Sequence, residues 1–147
     1  MPTKTATKKV KASRVFTSEE KAAMMDRAKE VKAAGGKEEG EEVVLAKLAE
    51  MTEADRVLGK RIHAIVMASA PALTPTLWYG MPAYKKNGKL VCHFQPAQKF
   101  KTRYATVGFS DNANLDEGAL WPVAYAVGKL SSADEARLAA IVKRAVS

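Results

Sequence analysis

The dipeptide Asn87-Gly88 constrains this chain more than any other feature. A two-residue type I′ turn needs positive φ at both of its central positions, and Asn-Gly tolerates that best, so two strands double back here. The flanking runs agree with this. Residues 83–86 lead into the turn and residues 89–95 lead out of it. In the second run Leu90, Cys92 and Phe94 are expected on one face, with Val91, His93 and Gln95 on the other. Residues 76–79 form a further short strand just upstream, and residues 77–95 together read as a β-hairpin at the centre of the fold.

Before the hairpin the apolar period is helical. Thr17 with Glu20 makes a capping box for a first helix over 17–34, with Met24, Ala28 and Val31 on one face and Gly35-Gly36 as its stop. Residues 37–40 read as a polar link. A second helix over 41–51 would bury Val44, Leu45 and Leu48. Thr52, with Asp55 in the capping-box position, opens a third, whose stripe is Leu58, Ile62, Ile65 and Val66 and whose end is bounded by Pro71. After the hairpin, Ala105, Val107 and Phe109 alternate inward over 103–109, and 111–118 is a polar loop. Trp121, Val123, Tyr125 and Val127 alternate over 121–127, where Pro122 suggests an edge strand. Ser132, with Glu135 three residues on, caps a last helix with Leu138, Ile141, Val142 and Ala145 on its core face. Three helices, a run of strands and a final helix predict an α+β fold with a mainly antiparallel sheet packed against helices, in one domain over 17–147.

The chain has 147 residues, 47% hydrophobic and 27% charged, enough to bury a core without crosslinks. One cysteine, Cys92, allows no internal disulfide and predicts a reducing, cytoplasmic home. No apolar run approaches the roughly 20 residues of a membrane span, and the basic N-terminus lacks the apolar stretch of a secretory signal. The net charge is +8, but Lys4, Lys8, Lys9, Lys11 and Arg14 fall in a segment without acids. Setting these five aside leaves 19 of the 24 basic residues against 16 acids. Residues 1–16 therefore read as a disordered basic tail capable of weak polyanion binding.

Trp78-Tyr79-Gly80-Met81-Pro82-Ala83-Tyr84, followed by Asn87-Gly88-Lys89, resembles the YdhG-like domain family. Lys99-Phe100-Lys101-Thr102-Arg103-Tyr104 and Gly108-Phe109-Ser110 are similar to it as well, so the resemblance covers residues 17–147. Members are often described as frataxin-like, and some as intracellular iron chaperones. The resemblance thus implies a frataxin-like fold, weakly bound iron, and partners in iron–sulfur assembly or other proteins. It brings no shared catalytic motif.

The residues themselves define three candidate sites. Glu38, Glu39, Glu41 and Glu42 form the densest acidic cluster, the ligand type a hard cation such as ferrous iron prefers, although acids also favour a helix N-terminus. Trp78, Tyr79, Tyr84 and His93 would either pack the fold or wall a pocket. Lys85, Lys86, Lys89, Lys99, Lys101 and Arg103, interleaved with Tyr84, Phe94, Phe100 and Tyr104, suit an anionic ligand or single-stranded nucleic acid. Cys92 and His93 are adjacent on a strand, point to opposite faces and cannot chelate one metal together. His63 falls near the apolar stripe of its helix and reads as structural. Residues 111–118 fail as a calcium loop because Ala113 and Leu115 occupy ligand positions. No nucleophile–base pair is visible, so a non-enzymatic binding domain is expected.

Overall fold

The computed structural model describes residues 36–147. The expected tail and the expected helix over 17–34 lie outside them. Helices α1 (Lys37–Ala49) and α2 (Glu53–Ser69) come first, then strands β1 (Thr74–Trp78), β2 (Met81–Lys86) and β3 (Lys89–Gln95). A single-turn helix α3 (Ala97–Phe100), strands β4 (Ala105–Phe109) and β5 (Ala124–Val127), and helix α4 (Ser132–Ala145) complete the chain. The five strands form one antiparallel meander in the order β1-β2-β3-β4-β5. The α+β class is as expected, with the sheet's inner face packed against helices.

Residues 77–95 hold two turns instead of one. Asn87 and Gly88 have φ of 52° and 79°, the pair of positive values that a type I′ turn needs. Tyr79 and Gly80 have φ of 50° and 75° between the paired residues Trp78 and Met81, which makes a second tight turn of the same kind. A tyrosine at positive φ is strained, because its Cβ crowds the following carbonyl.

A bulge overturns the expected facing of β3. Tyr84 pairs with Cys92, but Lys85 pairs with Leu90, so Val91 is an extra residue without a partner on β2. Val91 therefore turns inward beside Cys92 and Phe94, and Leu90, expected in the core, is only half-buried. A simple alternation rule cannot see this shift.

The other element boundaries move for local reasons. Residues 37–40 are the first turn of α1, with Glu38 and Glu39 placed where the helix dipole favours acids. Val44 and Leu48 are fully buried as expected, but Leu45 is exposed. Thr52 is the N-cap of α2, yet its side chain accepts no capping hydrogen bond. Asp55 Oδ2 instead accepts from the Gln98 backbone N–H at 3.0 Å. Helix α4 is capped by Ser131, one residue earlier than expected. Ser131 Oγ accepts from the Asp134 N–H (3.2 Å), and Asp134 Oδ2 accepts from the Ser131 N–H (2.9 Å). Strand β4 begins at Ala105 and β5 at Ala124, so Arg103 and Trp121–Val123 are not in strands.

The core lies between the helices and one sheet face, with Val44, Leu48, Ile62, Val66, Tyr84, Phe94, Val107 and Val142 fully buried. Each large apolar side chain there contributes about 1.5–3 kcal/mol by leaving water. Gly59 lets α2 approach closely, since a Cβ there would press on Leu48 Cδ2 and lie 2.9 Å from Phe94 Cε2. Among the described residues, no buried side-chain nitrogen or oxygen lacks a hydrogen-bond partner. Nor is any described helix long and apolar enough to cross a membrane.

Candidate functional site

The meander brings distant residues to one end of the sheet. Strand β1 ends at Trp78, β2 begins at Met81, β3 ends at Gln95 and β4 begins just before Thr106, its partner, so all four meet at that end. Helix α3 lies there too, tethered by Asp55 to Gln98. Lys101 follows it in the left-handed region (φ 56°), and the Thr102 N–H closes the turn on Ala97 O at 2.9 Å. Lys99 Nζ donates to Gly80 O at 3.3 Å, which joins this segment to the Tyr79-Gly80 turn.

Four aromatic rings are left in water at this end: Trp78 (36% exposed), Tyr79 (75%), Phe100 (39%) and Tyr104 (46%). Cations accompany two of them. Lys99 Nζ lies 5.7 Å from the Phe100 ring centre, and the Arg103 guanidinium lies 5.0 Å from that of Tyr104. Of the sequence candidates, Trp78, Tyr79, Lys99, Lys101 and Arg103 thus gather at one end. Lys85, Lys86 and Lys89 sit by the opposite turn, and Lys86 Nζ there donates to Val146 O at 2.6 Å.

His93 lies on the outer sheet face, in the register row Thr76, Ala83, His93, Gly108, Ala124. Its ring packs 4.9 Å from that of Trp78, which meets the Tyr79 ring edge-on at 5.0 Å. Gly108 lies beneath it, where a Cβ would come within 2.5 Å of His93 Cε1. Burial lowers the His93 pKa below the ordinary histidine value, which keeps the ring neutral at physiological pH.

Tyr84 does not belong to this surface. It projects from the inner sheet face and is fully buried, contrary to the pocket reading. Its hydroxyl lies 2.8 Å from His63 Nδ1, and His63 Nε2 lies 3.2 Å from Glu41 Oε1. A neutral imidazole with its proton on Nε2 satisfies all three groups: the tyrosine donates to Nδ1, and Nε2 donates to the carboxylate. Burial, with smaller contributions from Cys92 and Glu41, pushes the Tyr84 hydroxyl well above its usual pKa. Burial also pushes the Cys92 thiol up to about 12, as fits a small core residue. Sequence reading missed this relay because its members sit 21 and 22 residues apart. The one visible signal was a histidine on an apolar helical stripe.

The four glutamates do not form a gathered ligand set. Glu38, Glu39 and Glu42 are exposed, while Glu41 is engaged by His63. Among the described residues, no group of three or more His, Cys, Asp and Glu side chains is placed to hold a metal ion. In the 111–118 loop, Ala113 and Leu115 are buried anchors, and Glu117 pairs with Arg144 at 3.0 Å.

A groove unseen in the sequence runs between the first half of α2 and the ends of β4, β5 and α4. Its volume is about 1240 Å³. Val57, Leu58, Ala105, Val127 and Leu130 supply apolar lining, and Arg103 and Tyr104 stand at its edge. Arg61 closes one side with a two-pronged pair to Glu135, Nε to Oε2 at 2.6 Å and Nη2 to Oε1 at 2.5 Å. That pair raises the arginine pKa and lowers the carboxylate's.

Compared with protein-family models, with curated proteins and with solved structures, the chain finds no match in any of the three.

Proposed function

We propose that this protein is a non-enzymatic binding domain that holds single-stranded nucleic acid across the Tyr79-Gly80 end of its sheet. The observation that supports it is the gathering of four exposed aromatic rings with Lys99, Lys101 and Arg103 at that end. Exposed rings offer stacking platforms to unpaired bases, and each stacked base is worth about 1–3 kcal/mol. The cations track the phosphate backbone, and the strained Tyr79 turn holds its ring out in water. Double-stranded nucleic acid hides its base faces and gains nothing from such rings. The iron-binding expectation from the YdhG-like resemblance has no comparable gathering of ligands to support it among the described residues.

The test is titration with an oligothymidylate in a Trp121→Phe background, which leaves Trp78 as the single tryptophan reporter. Binding should quench Trp78 fluorescence and weaken as salt rises. Lys101→Ala with Arg103→Ala should reduce the slope of log affinity against log salt by about 1.4, at roughly 0.7 per phosphate contact on a single strand. Absence of quenching at low salt, or an unchanged slope in the double variant, would refute the proposal.

A further inference from the structure

The groove along α2 is a second site, with a chemistry of its own. Val57 is 61% exposed at its mouth, and Leu58, Ala105, Val127 and Leu130 continue the apolar lining inward. Three cations, Lys60, Arg103 and Lys129, line it as well, and none has an ion-pair partner among the described residues. The nearby acids do not balance them. Glu135 is held by Arg61, which leaves Glu53 and Asp55 against the three, and Asp55 is turned to the Gln98 N–H. The groove therefore combines an apolar floor with an excess of positive charge.

Its length and lining narrow the occupant. The α2 residues that line it run from Glu53 to Arg61, about 12 Å along the helix axis at 1.5 Å per residue. The side chains of Val57, Leu58, Ala105, Val127 and Leu130 have no hydrogen-bonding groups. A peptide laid on them would need partners for its own backbone, whereas a hydrocarbon chain needs none. Nor would a purely apolar molecule use the three cations. We infer that the groove binds a medium-chain fatty carboxylate, its alkyl chain lying along Val57, Leu58 and Leu130 and its carboxylate meeting Lys60, Arg103 and Lys129. The groove shares Arg103 and Tyr104 with the proposed nucleic-acid face, whereas Trp78, Tyr79, Lys99, Phe100 and Lys101 lie outside its lining.

The test uses ¹⁵N-labelled full-length protein titrated with decanoate below its micelle concentration. Saturable shift changes should concentrate in residues 53–61, 103–105 and 127–130. Decanol, with the same chain and no charge, should bind at least about tenfold more weakly, since it forfeits the charge-assisted contacts. Val57→Glu adds a carboxylate at an already exposed position, so the fold is retained. It should weaken decanoate at least about tenfold through like-charge repulsion, with a smaller effect on decanol. Equal affinity for decanol, shifts scattered over the whole sheet, or an unaffected Val57→Glu variant would overturn the inference. So would a designed acid-flanked amphipathic helix that shifts these residues when decanoate does not, which would assign the groove to a protein partner.

Discussion

Replacing Tyr84 by phenylalanine tests the buried relay with almost no change of shape. The ring stays, and only the hydroxyl 2.8 Å from His63 Nδ1 is removed. His63 is itself buried, so no water replaces the lost donor. The net hydrogen bond is worth about 0.5–1.5 kcal/mol, and a buried acceptor left unpaired costs about 1–3 kcal/mol, partly offset because the hydroxyl need no longer leave water. The expected loss is about 1–2 kcal/mol, which lowers the Tm by about 4–8 °C for a domain near this size. Urea unfolding followed by tryptophan fluorescence measures it, with His63→Leu and the double variant completing a cycle. The double variant should be less destabilised than the sum of the two single variants by about 1 kcal/mol, because it leaves neither partner stranded. A Tyr84→Phe protein within about 0.3 kcal/mol of the parent, or strict additivity in the cycle, would refute the relay as a source of stability.

Gly59→Ala should cost about 1–3 kcal/mol in the same unfolding assay, because the new methyl meets the buried Leu48 and Phe94. Cys92 should resist thiol reagents in the native protein and react at an ordinary rate once urea unfolds it. With its pKa pushed from 9.0 to about 12, the thiolate is about a thousandfold scarcer below both values. His93 sets a pH dependence with a definite sign. Its folded-state pKa lies below the ordinary 6.5, so the unfolded chain takes up the proton first as pH falls. Stability should decline as pH drops through 6.5, and His93→Gln should flatten that part of the profile.

How much of the molecule could be read in advance depended on how local the cause was. Asn87-Gly88 set its turn through its own backbone preferences, and the stripe Ile62, Ile65, Val66 placed α2 against the core, since these are effects of neighbouring residues. The second turn was hidden because tyrosine is a poor choice for positive φ, and nothing in Tyr79-Gly80 alone outweighs that strain. Val91 was assigned to the wrong face because a bulge depends on how two strands pair, not on the order of residues in one. Trp78, Tyr79, Lys99, Lys101 and Arg103 were identifiable as candidates from residue type. Only the meander reveals that they share an end while Lys85, Lys86 and Lys89 go to the other. Tyr84 was left open between core and pocket for the same reason, since its role follows from His63 on a separate helix. The groove was invisible because its walls come from α2, β4, β5 and α4, whose approach no short window of sequence encodes.

The simple order of the sheet bears on how the chain folds in time. Every strand pairs only with its neighbours in sequence, so the sheet can grow one strand at a time, its longest connection being residues 110–123 between β4 and β5. Formation of a single hairpin takes about 1–10 μs. Helix α4 is the exception. It packs on α2, and its Glu135 meets Arg61 from 74 residues away, a contact that must wait for the rest of the chain. That same helix supplies one wall of the groove. The groove is therefore among the last features to assemble, and an occupant that grips it acts mainly as a brake on unfolding, with little effect on the rate of folding.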